Sequence, residues 1–403
     1  MMCRGVSRGS CGVALISLYR KEDRPVQEHT KEEKKVEYLE LIYDLIFVYI
    51  IGRNNSLLHH TADGRIQPGV FIGYILCTLA VIQIWNYSTY YINLFGRNGL
   101  REHIFLFSNM FLLYFVGEGT SEHWQTGHTL YHTAWGLILL NIALQYILEY
   151  RRHSDDPALQ KNIRAIIFTL VTEAAAVFLM IPLLKLTGAE LSFIPILFGI
   201  LATMLSGRGA GNTNVDFTHL SERAMLYVVF TFGEMVIAIA GYFEGGFSFN
   251  NLYFALLAFL IVVGLFLSYG TFYDRIIDRS IRSNGLWYML IHIFIIFSMN
   301  NITTSLEFMR EESIELMPKI VFLTASLLIF FVFLFMTRRF TRRTCTPPPS
   351  FYLKMTALAA AFVSLMLIFR ENMYVNIAVT AVCVYIAYGI IYRLGKWNSQ
   401  SAK

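Results

Sequence analysis

Ionisable side chains inside long apolar runs are the residues of this 403-residue sequence that could do chemistry. They are Glu40, Asp44, Glu173, Glu234 and His292. An ionised group at the centre of a bilayer costs about 2.5–3.5 kcal/mol on insertion scales, so each one needs a partner or a function. Carboxylates and imidazoles in such places can relay protons or bind cations. The alternative interpretation is that each is a packed polar contact between helices.

The first apolar run carries three acids on one helical face, because Glu37, Glu40 and Asp44 follow i, i+3, i+7 spacing. These acids would repel one another unless a cation faces them or some stay protonated. Arg223 is a natural partner, because it lies in the opening turn of the seventh apolar run and would enter from the same side of the membrane. We therefore expect the first and seventh helices to meet through Glu40 or Asp44 and Arg223.

Histidines and acids collect on the predicted outer side of the chain. They are His59, His60, Glu118, Glu122, His123, His128 and His132. The spacing of His128 and His132 puts two imidazoles on one helical face, as zinc sites often do. One interpretation is a zinc or pH-sensing site formed by His123, His128, His132 and Glu118. The other is that outer loops poor in Lys and Arg collect these residues with no ligand.

The second apolar run is rich in polar and aromatic side chains. Gln83, Asn86 and Tyr90 are its candidates for lining an aqueous cavity. The alternative is an interfacial aromatic belt combined with hydrogen bonds between helices.

All of these residues belong to or flank twelve apolar segments, each long enough, or nearly so, to cross a hydrocarbon core that takes about 20 residues. The segments are 38–58, 69–95, 103–117, 128–149, 163–184, 191–206, 219–242, 252–272, 284–305, 318–337, 351–369 and 374–392. With the N-terminus in the cytoplasm, 27 of the 33 Lys and Arg residues fall on the inner side, as the positive-inside rule requires. The sequence therefore predicts an all-α polytopic membrane protein of about 12 transmembrane helices, multi-pass in the cell membrane, with both termini cytoplasmic.

The composition agrees with this prediction. Hydrophobic residues make up 55% of the chain and charged residues 15%, against about 25% charged in a soluble domain. The net charge of +5 comes from short loops that set orientation, so the predicted partner is the lipid bilayer and not a nucleic acid. The five cysteines show no CxxC spacing, which argues against a disulfide framework or a sulfur-ligated metal.

The apolar segments also suggest how the chain is organised. Residues 1–35 are predicted to be a cytosolic tail, 36–205 helices 1–6, 206–218 a Gly- and Asn-rich inner loop, 219–395 helices 7–12, and 396–403 a second cytosolic tail. The cluster of Lys31, Lys34 and Lys35, at the end of the first tail, is expected to anchor the first helix to the inner leaflet. A break near 206–218 would give two six-helix halves. These halves are either an internal duplication, as in many transporters, or unrelated, and no run of sequence aligns between them.

Two motifs resemble those of the bacterial low temperature requirement protein A family. The first helix reads Glu-Leu-Ile-Tyr-Asp-Leu-Ile-Phe-Val from Glu40, and that family has Glu-Leu-Phe-Phe-Asp-Leu-Val-Phe-Val. The seventh apolar run begins His219-Leu-Ser-Glu-Arg and continues to Gly233-Glu234, similar to the family's His-x-x-Glu-Arg…Gly-Glu segment. After the first helix this chain reads Gly52-Arg53-Asn54-Asn55, where the family usually has Thr-Gln.

The resemblance covers about residues 36–395 and implies a membrane-embedded helical fold. The positions of this chain that match the family's motifs, and that the resemblance therefore implies to be functional, are Glu40, Asp44, His219, Glu222, Arg223, Gly233 and Glu234. The family's name describes a growth phenotype in the cold, so the resemblance implies no reaction.

A gradient-driven secondary transporter, coupled to protons or cations, is the leading functional hypothesis. Acids in two helices that start on the same side suit alternating access, and no nucleotide-binding motif is present. Two alternatives stay open: an intramembrane metal-dependent enzyme that uses the outer histidines, and a non-transporting membrane protein for cold or envelope stress. No cofactor is expected unless the outer histidines hold zinc. The sequence does not indicate which small molecule or ion is the substrate.

Overall fold

The computed structural model describes residues 34–401 except positions 60, 63–64, 121–123, 210–214, 245, 311–313 and 342–346. Within these residues the chain forms twelve α-helices. They are α1 (Tyr38–Ser56), α2 (Pro68–Phe95), α3 (Leu100–Gly119), α4 (Trp124–Arg152), α5 (Pro157–Thr187), α6 (Phe193–Gly209), α7 (Phe217–Ala240), α8 (Phe249–Thr271), α9 (Leu286–Arg310), α10 (Leu316–Met336), α11 (Pro349–Ile368) and α12 (Met373–Ser401). Two short strands, β1 (Thr61–Ala62) and β2 (Arg65–Ile66), pair antiparallel in the loop after α1. Helices are expected here because lipid offers no partners to backbone amides.

Local signals set several of the helix starts. The side chain of Asp216 accepts a hydrogen bond from the backbone N–H of His219 and so caps α7. Asp156 caps α5 in the same way, and Pro157 follows it at a position where a missing N–H costs nothing. Pro347 and Pro348 precede α11, and Pro349 is its first residue, where the missing N–H of proline costs nothing.

Hydrogen bonds at the helix ends show that the helices alternate in direction. We call the end of the bundle at which α1 and α7 begin the near face, and the opposite end the far face. At the near face, Nδ2 of Asn93 in the last turn of α2 donates to the carbonyl of Asp216, 2.8 Å away. The backbone N–H of Asp278, just after α8, donates to the carbonyl of Phe340, just after α10, at 2.8 Å. The Phe340 ring in turn stacks on that of Phe217, the first residue of α7, with centroids 5.5 Å apart. Helices α2, α8 and α10 therefore end where α1 and α7 begin.

The far face shows the complementary contacts. His132, near the start of α4, lies 2.6 Å from the hydroxyl of Ser192, just before α6. The Tyr253 hydroxyl near the start of α8 donates to the carbonyl of Tyr374 near the start of α12, at 2.9 Å. These contacts put the starts of four even-numbered helices at the end opposite the start of α1.

Eight helices of the described chain are long and apolar enough to cross a membrane, namely α2, α5 and α7 to α12. The apolar part of α6 is shorter, and α1, α3 and α4 carry more polar residues. The molecule is thus an all-helical membrane protein, as the sequence predicts. The apolar stretch of α9 is 83% buried and that of α11 only 22%, so α9 lies at the centre of the bundle and α11 at its edge.

Candidate functional site

An arginine buried between α1 and α7 holds both acids of the first helix. Nε of Arg223 donates to Oδ2 of Asp44 at 3.2 Å, and Nη2 donates to Oδ1 at 2.6 Å. Nη1 donates to Oε2 of Glu40. The predicted contact between the first and seventh helices is therefore present, and it involves both acids. The side chains of Asp44 and Arg223 have no exposed surface, and that of Glu40 is 5% exposed.

Helical spacing explains why these residues meet. Glu40 and Asp44 are four residues apart on α1, and His219 and Arg223 are four apart on α7, so each pair occupies one face of its helix. Nε2 of His219 lies 3.4 Å from Oε2 of Glu40. Both helices begin at the same face, so the four groups form two matched levels: His219 beside Glu40, and Arg223 between Glu40 and Asp44. We call these four residues the ion cluster.

The second helix supplies two polar partners, Trp85 and Asn93, which belong to its polar and aromatic residues but not to the three candidates for lining a cavity. Nε1 of Trp85 donates to Oδ1 of Asp44 at 2.8 Å, and the amide of Asn93 lies 3.0 Å from Nδ1 of His219. Trp85 and Asn93 are eight residues apart, which is about 80° around α2 at about 100° per residue, and Asn86 lies within about 20° of Asn93. Spacing in the sequence therefore does not separate these two partners from the other polar and aromatic residues of this helix.

Hydrogen-bond roles indicate where the proton of His219 lies. The atom that Asn93 presents is Nδ2, which can only donate, so Nδ1 of His219 accepts and carries no proton. The ring proton is then on Nε2, facing Glu40. With a neutral imidazole, two carboxylates face one guanidinium, which leaves one negative charge in the cluster. Uptake of a proton by either acid would remove it.

Lys34 supplies a further positive charge at the near face. Its Nζ donates to the carbonyl of Gly96 at 3.0 Å and to that of Ile92, at the end of α2. Burial lowers the pKa of the Lys34 ammonium below its ordinary value, and the negative charge of Glu40 partly opposes this shift. The ammonium of Lys34 therefore binds carbonyls at the end of α2. The sequence indicates a place at the inner leaflet for Lys34 but does not indicate this contact.

Aromatic rings enclose the ion cluster. The Tyr227 ring packs against Trp85 with centroids 4.5 Å apart and against Phe47 at 6.0 Å. Tyr43, one residue before Asp44, shares a 2.8 Å hydrogen bond with Ser88. These neighbours keep water from the charges, so each electrostatic contact inside is stronger than it would be in water.

Glu173 forms a separate buried cluster between α2, α5 and α6. The Tyr87 hydroxyl donates to its Oε2 at 2.7 Å, and Nε2 of Gln83 donates to that hydroxyl at 2.9 Å. Gly199 of α6 lies against all three side chains. Of the predicted cavity-lining residues, Gln83 therefore belongs to the Glu173 cluster. The side-chain oxygens of Asn86 and Tyr90 have no hydrogen-bond partner in the described part of the chain, and their cavity-lining role stays a prediction.

The remaining candidates lie apart from the ion cluster. Glu222 is half-buried, and its charge acts on Tyr273 near the end of α8. Glu234 is half-buried and lies against Gly52 in the far half of α1. His292 is fully buried and ties α9 to α8: its Nε2 is 3.0 Å from the Tyr269 hydroxyl, and its Nδ1 is 2.8 Å from the Tyr288 carbonyl. These contacts fit the interpretation of His292 as a packed polar contact between helices.

The outer histidines are only partly brought together. His128 and His132 have ring centroids 6.3 Å apart, and the ring nitrogens of His132 bond to the His128 carbonyl and to Ser192. Glu118 accepts from the Tyr49 hydroxyl at 2.6 Å and pairs with Arg53 on α1. His123 lies outside the described residues. Within the described residues no group of three or more His, Cys, Asp or Glu side chains could hold a metal ion, so the zinc site stays a prediction.

The Trp85 hydrogen bond should contribute measurably to stability. We expect Trp85→Phe to lower the free energy of unfolding by about 1.5 kcal/mol more than Trp135→Phe, because only Trp85 donates to a charged acceptor. Trp135 is the matched control: it is also fully buried, and its Nε1 has no partner among the residues that the structure describes. Chemical unfolding of the purified variants in detergent measures the difference, and equal losses would show that the bond contributes nothing.

Comparison with known proteins gives one match. A family model described as "Bacterial low temperature requirement A protein (LtrA)" matches residues 35–388, which include the ion cluster and the Glu173 cluster. Neither a curated protein nor a solved structure matches the chain.

Proposed function

Because this chain belongs to the bacterial low temperature requirement A (LtrA) family, we propose that it is a gradient-driven secondary transporter of that family, coupled to protons or cations. The observation that carries the proposal is the ion cluster. Two acids, an arginine and a histidine are sealed between two parallel helices that belong to opposite halves of the chain. A buried ionic contact of this kind is a poor source of net stability, so a role in function accounts for it better.

We further propose that all twelve helices cross the cell membrane, with both termini in the cytoplasm. Alternation of the helix ends between two faces supports this, since α1, α3, α4 and α6 alternate in step with the eight longer apolar helices. The 19 residues of α1 span about 28 Å, close to the thickness of the hydrocarbon core. The excess of Lys and Arg on the near face supports a cytoplasmic near face.

The coupling mechanism follows from the charge balance. Arg223 makes its three hydrogen bonds to Asp44 and Glu40 while both acids are ionised. A proton or cation that binds these acids competes with Arg223 and weakens the contact between α1 and α7. Those two helices can then shift against each other, and opening toward one side of the membrane is linked to the state of the acids. Glu173 is the better candidate relay group, because it is fully buried and its Oε1 has no hydrogen-bond partner among the described residues, whereas both ring nitrogens of His292 have one.

Proton flux into proteoliposomes tests the proposal and does not require that the substrate be identified first. Vesicles containing a pH-sensitive dye and the purified protein are challenged with a panel of metabolites and inorganic ions. We expect at least one compound to drive proton movement, and we expect Asp44→Asn to reduce that rate at least about tenfold by abolishing one of the competing charges. This variant should fold, because Arg223 keeps Glu40 and the net charge of the cluster falls to zero.

The control is Glu371→Gln, since Glu371 is an acid with an 88% exposed side chain, paired only loosely with Arg370. Its flux should equal that of the wild type. If folded wild-type protein moves no protons with any compound of the panel, and moves no Na⁺ or K⁺ when the vesicles contain a dye sensitive to those ions, the transporter proposal is wrong. It is also wrong if Asp44→Asn transports at the wild-type rate. A non-transporting stress protein would then be favoured.

A further inference from the structure

A second buried polar cluster lies in the far halves of α1, α2 and α9, away from the ion cluster. Its centre is three asparagines, Asn54, Asn55 and Asn300, whose side chains are 0–2% exposed. Within the described chain no hydrogen-bond partner is present for Oδ1 of Asn54, for either amide atom of Asn55, or for Oδ1 of Asn300. A buried polar atom without a partner costs about 1–3 kcal/mol, so several of them together indicate a ligand.

Neighbouring hydrogen bonds fix which atoms two of these amides present. The Tyr74 hydroxyl donates its one proton to Oδ1 of Asn301 at 2.7 Å, so it must accept from Nδ2 of Asn300, 3.1 Å away. Asn300 is therefore held with its oxygen unpaired. Nδ2 of Asn54 donates to the hydroxyl of Thr78 at 3.5 Å, which leaves the Asn54 oxygen unpaired as well. Thr78 is one turn from Tyr74 on α2, so both amide oxygens flank the same turn.

Carboxylates from α7 and α9 reach the same region. Oε1 of Glu234 on α7 lies 2.8 Å from the point where a side chain on Gly52 would begin, so it rests against the backbone of α1 one turn before Asn55. The charge of Glu307 on α9 acts on both Glu234 and Tyr74. Arg53 is turned away toward Glu118, with 3.6 Å between Nη2 and Oε2.

We propose that these side chains form a binding site for a partly dehydrated alkali-metal cation. Its ligands would be the side-chain oxygens of Asn54, Asn55 and Asn300, together with the carboxylate of Glu234. Hard cations take oxygen ligands, and neutral amide oxygens around few carboxylates suit a monovalent ion better than Ca²⁺ or Mg²⁺. Tyr74, whose hydroxyl accepts from Asn300, belongs to a small apolar cluster with Leu58, Phe308 and Ile314.

This site is distinct from the ion cluster. Glu234 is eleven residues beyond Arg223 on α7, which corresponds to about 16 Å along the helix. Cation binding here does not require transport, so the two proposals can fail separately. If both hold, the protein has one charged centre in each half of the membrane on the same two helices.

Thermal unfolding of the purified protein in detergent tests the proposal. The probes are NaCl, KCl and choline chloride at one ionic strength. A ligand that binds only the folded state raises the midpoint, and we expect Na⁺ or K⁺ to raise it by about 3 °C over choline at saturation. Asn300→Ala and Glu234→Gln should each reduce that shift below about 1 °C.

Asn376→Ala is the matched control. Asn376 on α12 is also fully buried with an unpaired Oδ1, while its Nδ2 donates to the Phe369 carbonyl at 2.8 Å, so its loss should leave the cation shift intact. Glu234→Gln retains the size of the side chain and serves if Asn300→Ala fails to fold. Equal midpoints in all three salts would overturn the proposal, and so would a larger shift in CaCl₂, measured as a fourth salt at the same ionic strength, than in NaCl and KCl.

Discussion

Arg223→Ala is expected to lower the free energy of unfolding by about 3–5 kcal/mol, because it leaves two buried carboxylates without their cation. Asp44 would keep only the Trp85 hydrogen bond, and Glu40 would keep the neutral ring of His219 and the backbone N–H of Glu37. The measurement is the folded fraction of detergent-extracted protein by size-exclusion chromatography, with unfolding curves for material that survives. We expect most of the folded protein to be lost.

Two further variants separate charge from packing. Arg370→Ala is the control, because Arg370 is exposed and its nearest acid, Glu371, is 4.0 Å away, so that change should cost almost nothing. Adding Asp44→Asn to Arg223→Ala should recover part of the loss, since one unpaired charge then disappears. The reversed pair, Asp44→Arg with Arg223→Asp, should also outperform either single reversal. No recovery in either combination would mean that the arginine acts through its shape and not through its charge.

Gly199→Val is expected to lower the free energy of unfolding by about 3 kcal/mol, because α6 has no room for a side chain at this position. A Cβ atom there would overlap Nε2 of Gln83, Oε2 of Glu173 and the Tyr87 hydroxyl, which form one hydrogen-bonded group. Either the group separates and a buried carboxyl loses its donor, or α6 moves outward. Thermal unfolding in detergent measures the effect.

Gly389→Val is the matched control for that substitution. Gly389 is also inside a helix, but nothing lies within 4 Å of the position that its Cβ would take. Valine there should be neutral or slightly stabilising, since glycine is the poorer helix former. If both valine variants unfold alike, the close approach of α6 to Glu173 is not a determinant of stability.

The main contact of the candidate site could be predicted from sequence alone. Glu40, Asp44 and Arg223 are conspicuous because ionised groups are costly in lipid, and a cation on the same side of the membrane is the simplest compensation. The donors that complete the site could not be chosen in the same way. Trp85 and Asn93 share α2 with Gln83, Asn86, Tyr87 and Tyr90, and nothing in their spacing shows which face meets α1 and α7.

The buried asparagines of the proposed cation site show the same difference between what the sequence predicts and what the structure decides. Asn54, Asn55 and Asn300 are individually unremarkable amides in sequence, and only the packing of α1 and α2 against α9 buries them together. The predicted zinc site had a clear spacing signal in His128 and His132, yet Glu118 turns toward α1 instead. Spacing within one helix describes that helix and not what packs against it.

The sequence by itself determined the membrane class, the helical segments, the family and the two charged motifs. Hydropathy, helix spacing and the cost of a buried charge are properties of single segments, so each can be evaluated locally. Only the tertiary structure decided which polar side chains meet. In a membrane both the lipid-facing and the core-facing sides of a helix are apolar, so hydrophobic periodicity does not reveal which face is turned inward.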